Sequence, residues 1–515
     1  MFMIEIKNLK KSFGIRTVLE IDELNLYSGE KIALTGVNGA GKSLLLNMIA
    51  GAIKPDEGII KLNEEFSYIR QFSEHGYENK NSAESIYAAD FNAKYHNGTD
   101  EFETIKFDGS PCKSGGEITR LKIFEAISKK AQILLADEPT ANLDIEGITL
   151  LEKRLKSYEG LLILVSHDRE LIDSVCSKTI EIENGKINIY KGNYSYYKQC
   201  KNMEIERKNF EYEEYVSEKK RLTHAACEKK QKSRKMKKAP SRMGNSEARL
   251  HTRGVNSKKA KIDSAAKSIE SRIEKLAVKE KAYIPPQAKI DIKECFKLHS
   301  KIAVYGFGIS KQFPEKPLFS DSDFEIQNGC KTAIIGPNGS GKTTLIKMIL
   351  NGENGICLAS SARVGYFSQS LEILDPDLTI IENIMNTSEY HENFVRLLLA
   401  RLLFKRDDIY KKVSVLSGGE RVKTAFAKIF ARSNNILIFD EPTNYLDMQS
   451  QEALEEVLKE YEGTLIFASH DRKFISNIAD SLIIIDEFQL KFFNGTYADY
   501  ADKLKCRADS QKTNY

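Results

Sequence analysis

The chain has 515 residues, of which 41% are hydrophobic and 29% charged, so it is globular in composition and too long for a single hydrophobic core. No stretch approaches the roughly 18–20 consecutive apolar residues of a membrane span, and eight dispersed cysteines without a CxxC pair predict reduced thiols in the cytoplasm, not a disulfide framework or zinc site. The net charge is +4, yet residues 229–261 hold thirteen Lys or Arg against one acidic residue. This concentration of positive charge predicts a polyanionic partner.

The chain begins with alternating apolar and polar residues, MFMIEIKNLKKSF, which predict a β-strand rather than a signal peptide. The motif GVNGAGKS then follows an apolar run. Its glycines permit a tight turn whose backbone N–H groups face an anion, which predicts a phosphate site where Lys42 contacts phosphate and Ser43 binds Mg²⁺. The predicted ATP-binding residues of this loop are Gly36, Val37, Asn38, Gly39, Ala40, Gly41, Lys42 and Ser43.

Two further motifs complete this chemistry. KSGGE places a second glycine turn at a helix N-terminus, which predicts a second phosphate cradle. The residues of that turn are Ser114, Gly115 and Gly116. LLADEPTANLD is an apolar strand followed by two carboxylates, at the strand end where α/β sheets bind ligands. Asp137 is predicted to hold Mg²⁺ through water, and Glu138 to polarise the attacking water.

Residues 194–298 have a different character. Residues 198–238 contain no Gly or Pro and are dense in Glu, Lys, Arg and Ala, which predicts a helix. Pro and Gly residues predict a break over 238–254, and a second helix is predicted from Ser257. Its apolar residues recur in steps of four and three, like a coiled-coil seam: Ile262, Ala266, Ile269, Ile273 and Leu276. The segment is predicted to be a helical hairpin with a basic tip at about 229–257.

The early motifs recur in the same order after this linker, at an offset of 300 or 303 residues. The second copies are GPNGSGKT (336–343), LSGGE (416–420), LIFDEPTNYLD (437–447) and SHDRK (469–473). The chain therefore contains a duplicated domain, and the predicted divisions are 1–193, 194–298, 299–500 and a tail at 501–515. The matching site residues are Gly336, Pro337, Asn338, Gly339, Ser340, Gly341, Lys342, Thr343, Thr344, Ser417, Gly418, Gly419, Asp440 for Mg²⁺ and Glu441 for water.

Together these motifs resemble the ABC ATPase family across both halves of the chain. The resemblance implies an α/β fold with two tandem P-loop cassettes packed head to tail and joined by the helical hairpin. Lys42 would then share one ATP with Ser417, and Lys342 another with Ser114. The resemblance assigns further residues in pairs: Gln71 and Gln369 to Mg²⁺ and the attacking water, His167 and His470 to the γ-phosphate, and the D-loop residues Asp144 and Asp447 to the link between the sites.

Phe13 and Phe313 occupy corresponding places near the start of each copy. Both are candidates for stacking on adenine, and each could equally be a core aromatic.

The long charged linker, the EPTN sequence of the second copy and SRMGNSEARLH in the linker are similar to the ABC-F family over essentially the whole chain. The resemblance implies binding to the 50S subunit of the 70S ribosome, with the linker in the E site and its tip near 23S rRNA and the P-site tRNA. Candidate RNA phosphate contacts are Arg234, Lys235, Lys237, Lys238, Arg242, Arg249 and Arg253. Met243 is either an apolar probe near the drug site or a simple loop residue.

KKAPSRMGNSEARLH is most similar to the antibiotic-resistance branch, which implies displacement of drugs from the large subunit, with pleuromutilins, lincosamides and streptogramin A favoured over macrolides. A housekeeping translation factor of the same family is the main alternative. An ATPase subunit of a transporter is disfavoured, because the short stretch from Lys42 to Ser114 leaves little room for docking membrane subunits. The cassettes are expected to pair within a monomer.

Overall fold

The computed structural model describes most of the chain, namely residues 2–70, 115–129, 131–235, 245–279, 298–313, 316–353, 355–368 and 371–503. It divides into two compact units. One combines Met1–Ser195 with Pro285–Tyr515 and holds both cassettes, and the other is Tyr196–Ile284. None of the helices in the described ranges combines the length and apolarity that a membrane crossing requires. The domain boundaries given above remain predictions.

The first cassette contains a three-stranded antiparallel sheet of order β2-β1-β4 and a six-stranded sheet of order β5-β6-β7-β3-β8-β9. The strands are β1 Phe2–Phe13, β2 Arg16–Tyr27, β3 Lys31–Thr35, β4 Glu57–Leu62, β5 Phe66–Ile69, β6 Ile133–Asp137, β7 Leu161–Val165, β8 Lys178–Glu183 and β9 Lys186–Tyr190. The helices are α1 Lys42–Ile49, α2 Gly115–Ser128, α3 Ile145–Ser157 and α4 Arg169–Val175. The predicted N-terminal strand is confirmed as β1.

The second cassette repeats this plan, with sheets of order β11-β10-β13 and β14-β15-β16-β12-β17-β18. The strands are β10 Ile302–Phe313, β11 Lys316–Gln327, β12 Lys331–Ile335, β13 Ile356–Leu358, β14 Val364–Phe367, β15 Ile436–Asp440, β16 Thr464–Ala468, β17 Ser481–Asp486 and β18 Gln489–Asn494. The helices are α7 Lys342–Asn351, α8 Ile380–Met385, α9 Glu392–Arg401, α10 Gly418–Phe430, α11 Met448–Glu460 and α12 Arg472–Ile478, with 3₁₀ turns at Asp408–Tyr410 and Val413–Val415. The predicted fold class is confirmed.

The central strands of the large sheets are parallel and only the last pair in each is antiparallel. Strands β6, β7, β15 and β16 are buried at every residue, which explains why each is an almost unbroken apolar run. Strands β6, β7 and β3 are neighbours and run in the same direction. The glycine loop, the two carboxylates and the histidine that follow these strands therefore meet at one edge of the sheet.

The smaller unit consists of α6, Asn245–Glu274, and most of α5, Tyr194–Lys235. The prediction that the second helix starts at Ser257 is wrong, because α6 begins twelve residues earlier and runs through Gly254. A single glycine costs a helix only about 1 kcal/mol, which the neighbouring turns of a long helix can offset. The structure describes the first helix to Lys235, and residues 236–238 of the predicted helix lie outside the described residues.

The two helices of this unit run antiparallel, as ion pairs Lys230–Glu270 and Lys279–Glu211 require. The predicted seam of α6 is confirmed, since Ala266 is buried and the other four seam residues are partly buried. On α5, Leu222 and Ala226 are buried at a spacing of one helical turn. The unit is thus the predicted helical hairpin.

Candidate active sites

The glycine loop of each cassette turns into a helix through a left-handed glycine. Gly41 and Gly341 have φ of 102° and 101°, a conformation that side-chain-bearing residues rarely adopt. The Nζ of Lys42 donates to the carbonyl oxygens of Gly36 and Val37 at 2.7 and 3.3 Å, so the amine lies over the mouth of its own loop. Burial lowers the pKa of Lys42. A buried cation beside backbone N–H groups at a helix N-terminus is suited to phosphate.

The first carboxylate after β6 belongs to Asp137, which is buried beside the loop. Burial raises the pKa of Asp137, and a hydrogen bond from the Ser43 hydroxyl partly offsets that shift. Among the described residues, the Oδ1 atom of Asp137 has no hydrogen-bond partner. Asp440 and Thr343 repeat this pair in the second cassette. A hydroxyl and a buried carboxylate oxygen in contact suit Mg²⁺, which prefers oxygen ligands and takes the remainder from water and phosphate.

The second carboxylate occupies an unusual backbone position. Glu138 and Glu441 have φ of 49° and 50°, in the left-handed region where glutamate is strained. The Glu138 N–H donates to the carbonyl of Val165 at 2.8 Å, which holds the turn against the neighbouring strand β7. The same strained φ occurs at the equivalent residue of both cassettes, so the fold itself imposes this turn. The turn places the carboxylate at the edge of the sheet.

Each of these glutamates faces the histidine that is predicted to contact the γ-phosphate. The His167 Nε2 lies 3.3 Å from Glu138 Oε1, and the His470 Nε2 lies 3.4 Å from Glu441 Oε1. Burial raises the pKa of Glu441 to about 8 and lowers the pKa of His470 to about 3. The imidazole of His470 is therefore neutral at physiological pH. In this pair Glu441 is therefore the stronger base, and a pKa close to physiological pH suits a general base for water.

The glycine loop of the first cassette contacts the second cassette directly. The Asn38 N–H donates to Asp447 Oδ2 at 3.1 Å, and the Asn38 Nδ2 donates to the Tyr445 carbonyl at 3.1 Å. A Cβ placed on Gly419 would lie 3.3 Å from the Asn38 Nδ2 and 2.8 Å from the Tyr445 carbonyl oxygen. The Lys42 loop therefore faces the serine–glycine turn and the D-loop of the second cassette, as the resemblance implies.

The reverse contact is equivalent. The Asn338 N–H donates to Asp144 Oδ2 at 3.3 Å, and its side-chain amide donates to the Asn142 carbonyl at 2.6 Å. Arg120 on α2 donates to the other oxygen of Asp144 at 2.5 Å, and so holds the D-loop carboxylate toward the opposite loop. Sequence reasoning missed Arg120 and Asn142. The left-handed φ of Asn142, 63°, belongs to a residue type that tolerates it, but only the tertiary contact reveals its role.

Comparison with known proteins supplies the family. The ABC transporter family model matches twice, at residues 19–141 and 319–444. The erythromycin resistance ATP-binding protein MsrA of Staphylococcus epidermidis is 34% identical over 90% of this chain and 93% of its own length. ABC transporter F family member 5 of Arabidopsis thaliana is 31% identical over 97% of this chain and 77% of its own. The ribosome protection protein VmlR of Bacillus subtilis is 31% identical over 94% and 86%.

The chain belongs to the ABC-F family. It is accordingly an ATP hydrolase, with the two ABC ATPase domains that the motifs predict. In this ABC-F protein, the two sheet edges and the two reciprocal contacts build a pair of composite sites. Each site joins the lysine loop, carboxylates and histidine of one cassette to the D-loop of the other.

The structure describes some of the predicted site residues and leaves others outside the described ranges. Gln71, Ser114 and Gln369 lie outside the described residues, and so do Lys237, Lys238, Arg242 and Met243 of the linker. Gly115 and Gly116 form the start of α2. Ser417 is the N-cap of α10, where its hydroxyl accepts the Glu420 N–H and the Glu420 carboxylate accepts the Ser417 N–H in return. This capping box explains why a serine precedes the glycines and a glutamate follows them.

The two candidate adenine-stacking residues are exposed. Phe13 ends β1 with 58% of its surface exposed, and Phe313 ends β10 with 47% exposed. The alternative that they are core aromatics is therefore wrong. Stacking on adenine stays a prediction, which the exposure of both rings permits.

Proposed function

We propose that this ABC-F protein binds ribosomes and uses ATP-driven closure of its cassettes to place the helical hairpin in the ribosomal E site. Mg²⁺-ATP would occupy both composite sites, with Asp137 and Ser43 or Asp440 and Thr343 contributing metal ligands. Closure has a clear structural basis, because each nucleotide site takes residues from both cassettes. A ligand that binds two bodies at once favours their closed arrangement.

The observation that carries the ribosome proposal is the row of exposed cations on the hairpin. Lys232, Arg234 and Lys235 are exposed in the last turn of α5, and Arg253 is exposed on α6. In the described part of the 229–261 run, Lys230 alone is paired with an acidic side chain. Uncompensated cations on narrow helices suit a phosphate backbone, which binds through counterion release. The relative VmlR, whose name states ribosome protection, supports the same partner.

Ribosome cosedimentation tests this proposal. A variant carrying Glu138→Gln and Glu441→Gln should bind ATP without hydrolysing it and stay on ribosomes after centrifugation. Adding Arg234→Ala and Lys235→Ala should weaken that association. The fall of log affinity with log salt concentration should become less steep by about two, because about one counterion is released per phosphate contact.

The matched control removes the same charge elsewhere on the hairpin. Lys208 and Lys220 are exposed on α5, far along the helix from its basic end. Lys208→Ala with Lys220→Ala should leave the salt slope close to that of the parent. Equal weakening by both pairs, or release of the ATP-trapped parent from ribosomes as readily as wild type, would contradict the proposal.

We further propose that the protein displaces antibiotics from the large subunit. Two relatives have names that state erythromycin resistance and ribosome protection. Expression in a susceptible host should raise the inhibitory concentration of at least one class among pleuromutilins, lincosamides, streptogramin A and macrolides. Unchanged susceptibility to all four classes, with ribosome binding intact, would leave the housekeeping translation factor as the function.

A further inference from the structure

A buried ion pair crosses between the cassettes away from the phosphate loops. Arg169, the first residue of α4, hydrogen-bonds to Glu455 on α11 of the second cassette. Their side chains are only 8% and 6% exposed. Two charges removed this far from water are favourable only while they remain paired, and removing one partner leaves an uncompensated buried charge.

The opposite pair exists as well. Arg472 begins α12, and its Nη1 lies 3.0 Å from Oε2 of Glu152 on α3 of the first cassette. Arg472 also lies 3.2 Å from Glu170 and 3.7 Å from Asp168. Arg169 and Arg472, like Glu152 and Glu455, are 303 residues apart, which is also the offset between the two DEPT motifs. We name the two reciprocal pairs Arg169–Glu455 and Arg472–Glu152 the arginine latch.

The arginine latch lies close to the residues of the predicted ATP site. Arg169 follows His167 by two residues, and Glu455 lies about two turns into the helix that begins after Asp447. Asp447 itself accepts the N–H of Asn38 in the Lys42 loop. Helix α11 is therefore held by the first cassette at two points, one at the phosphate loop and one beside the histidine of the same site.

The same helix contacts the first residue of the linker helix. The hydroxyl of Tyr194 lies 3.3 Å from the carboxylate of Glu452, three residues before Glu455 and on the same face of α11. The next residue, Ser195, donates its N–H to Asp173 of α4 at 2.8 Å. The start of α5 is thus attached to both cassettes at the place where the latch joins them.

We propose that Arg169 and Arg472 are positioning residues for ATP hydrolysis. Each fixes the histidine segment of its own cassette against the D-loop helix of the other, so that a site becomes competent only when both cassettes are docked. The latch acts on the closed state, because each arginine meets the glutamate of the other cassette only when the cassettes are docked. This proposal concerns the ATPase and does not depend on the ribosome.

The test measures how long ATP stays occluded. In the Glu138→Gln, Glu441→Gln background, Arg169→Met should shorten the retention of radiolabelled ATP by about 100-fold, since it keeps the aliphatic stem and leaves the Glu455 charge buried without its cation. With the catalytic glutamates restored, Arg169→Met should lower kcat by a similar factor and change KM little. Adding Glu455→Gln should recover most of the occlusion, because the uncompensated charge is then gone.

A matched control separates positioning from stability. Arg401 is as buried as Arg169, but its ion pair with Glu460 lies within the second cassette. Arg401→Met should lower the melting temperature while leaving ATP retention and kcat close to the parent values. The proposal is overturned if Arg169→Met and Arg401→Met have equal effects on ATP retention, or if the Arg169→Met, Glu455→Gln pair retains ATP no longer than Arg169→Met alone.

Discussion

Replacing Gly419 by alanine tests the composite architecture with a single methyl group. The φ of Gly419 is not left-handed, so alanine can adopt its backbone conformation and any effect must arise from contacts. The new Cβ would lie 2.8 Å from the Tyr445 carbonyl oxygen and 3.3 Å from the Asn38 side-chain amide. The Tyr445 carbonyl belongs to the same cassette as Gly419 and accepts the Asn38 side-chain amide of the opposite cassette. The methyl group must therefore displace the hydrogen bond that joins the two cassettes at this point.

The expected magnitude follows from this geometry. Inserting a methyl group into packed contacts costs about 1–3 kcal/mol, which corresponds to a roughly 5- to 150-fold weakening of the contact between the Lys42 loop and the Gly419 turn. Gly418→Ala provides the comparison in the same motif, because its Cβ meets only the Tyr445 Cβ at 4.0 Å, an ordinary contact. The loss from Gly418→Ala should be several-fold smaller than the loss from Gly419→Ala.

Steady-state hydrolysis in two backgrounds identifies which site is affected. With Glu441→Gln, hydrolysis comes from the Lys42 site, and Gly419→Ala should reduce kcat by the factor above. With Glu138→Gln that site is already inactive, so Gly419→Ala should remove little of the remaining activity. Binding of a fluorescent ATP analogue to each variant provides the control for nucleotide occupancy.

The reasoning would be refuted by equal losses in the two backgrounds, because Gly419 would then not belong to the Lys42 site. It would also be refuted if Gly418→Ala and Gly419→Ala lowered kcat to the same extent, because the distances would then have no predictive value.

Two further predictions concern charge and packing. His470→Gln should make the protein more stable to acid. Burial lowers the pKa of His470 in the folded protein to about 3, whereas its pKa in the unfolded chain is near 6.5. Wild type therefore loses stability as the pH falls below 6.5, by about 2 kcal/mol at pH 5. Urea unfolding at pH 7.5 and pH 5 measures this, and an equal loss in both proteins would contradict it. Ala266→Glu places a carboxylate in the buried hairpin seam and should lower the stability of the hairpin by about 2–4 kcal/mol. Proteolysis within residues 245–279 should then be faster. Lys267→Glu, at an exposed position, should leave the rate of proteolysis unchanged.

Much of the site was predictable because its chemistry depends on local sequence. The glycine at position 41 must adopt a left-handed φ just before a helix, and a carboxylate must follow a fully buried strand, so both leave a recognisable pattern. The seam of the hairpin was predictable for the same reason, since apolar spacing reflects the helix period. The start of the second hairpin helix was not, because a glycine such as Gly254 ends some helices and is tolerated inside a long one.

Partners that lie far apart in the sequence were not predictable from residue patterns. Arg169 and Glu455 are separated by 286 residues, and a lone arginine at a helix start or a lone glutamate on a helix is ordinarily a solvated surface residue. The same holds for Asn38 and Tyr445, whose contact depends on the docking of two bodies. Resemblance to a family predicted head-to-tail pairing, but not which side chains carry it.

The sequence by itself therefore determined the two α/β cassettes, the phosphate loops, the carboxylates and the charged hairpin, because each shows in residue types and spacings that are local in the chain. Tertiary structure alone decided the strained φ of Glu138, the exposure of Phe13 and the arginine latch. The first two features arise within a folded cassette, and the latch arises only where the two cassettes meet. In each case the outcome depends on residues that are near in space and not near in the sequence.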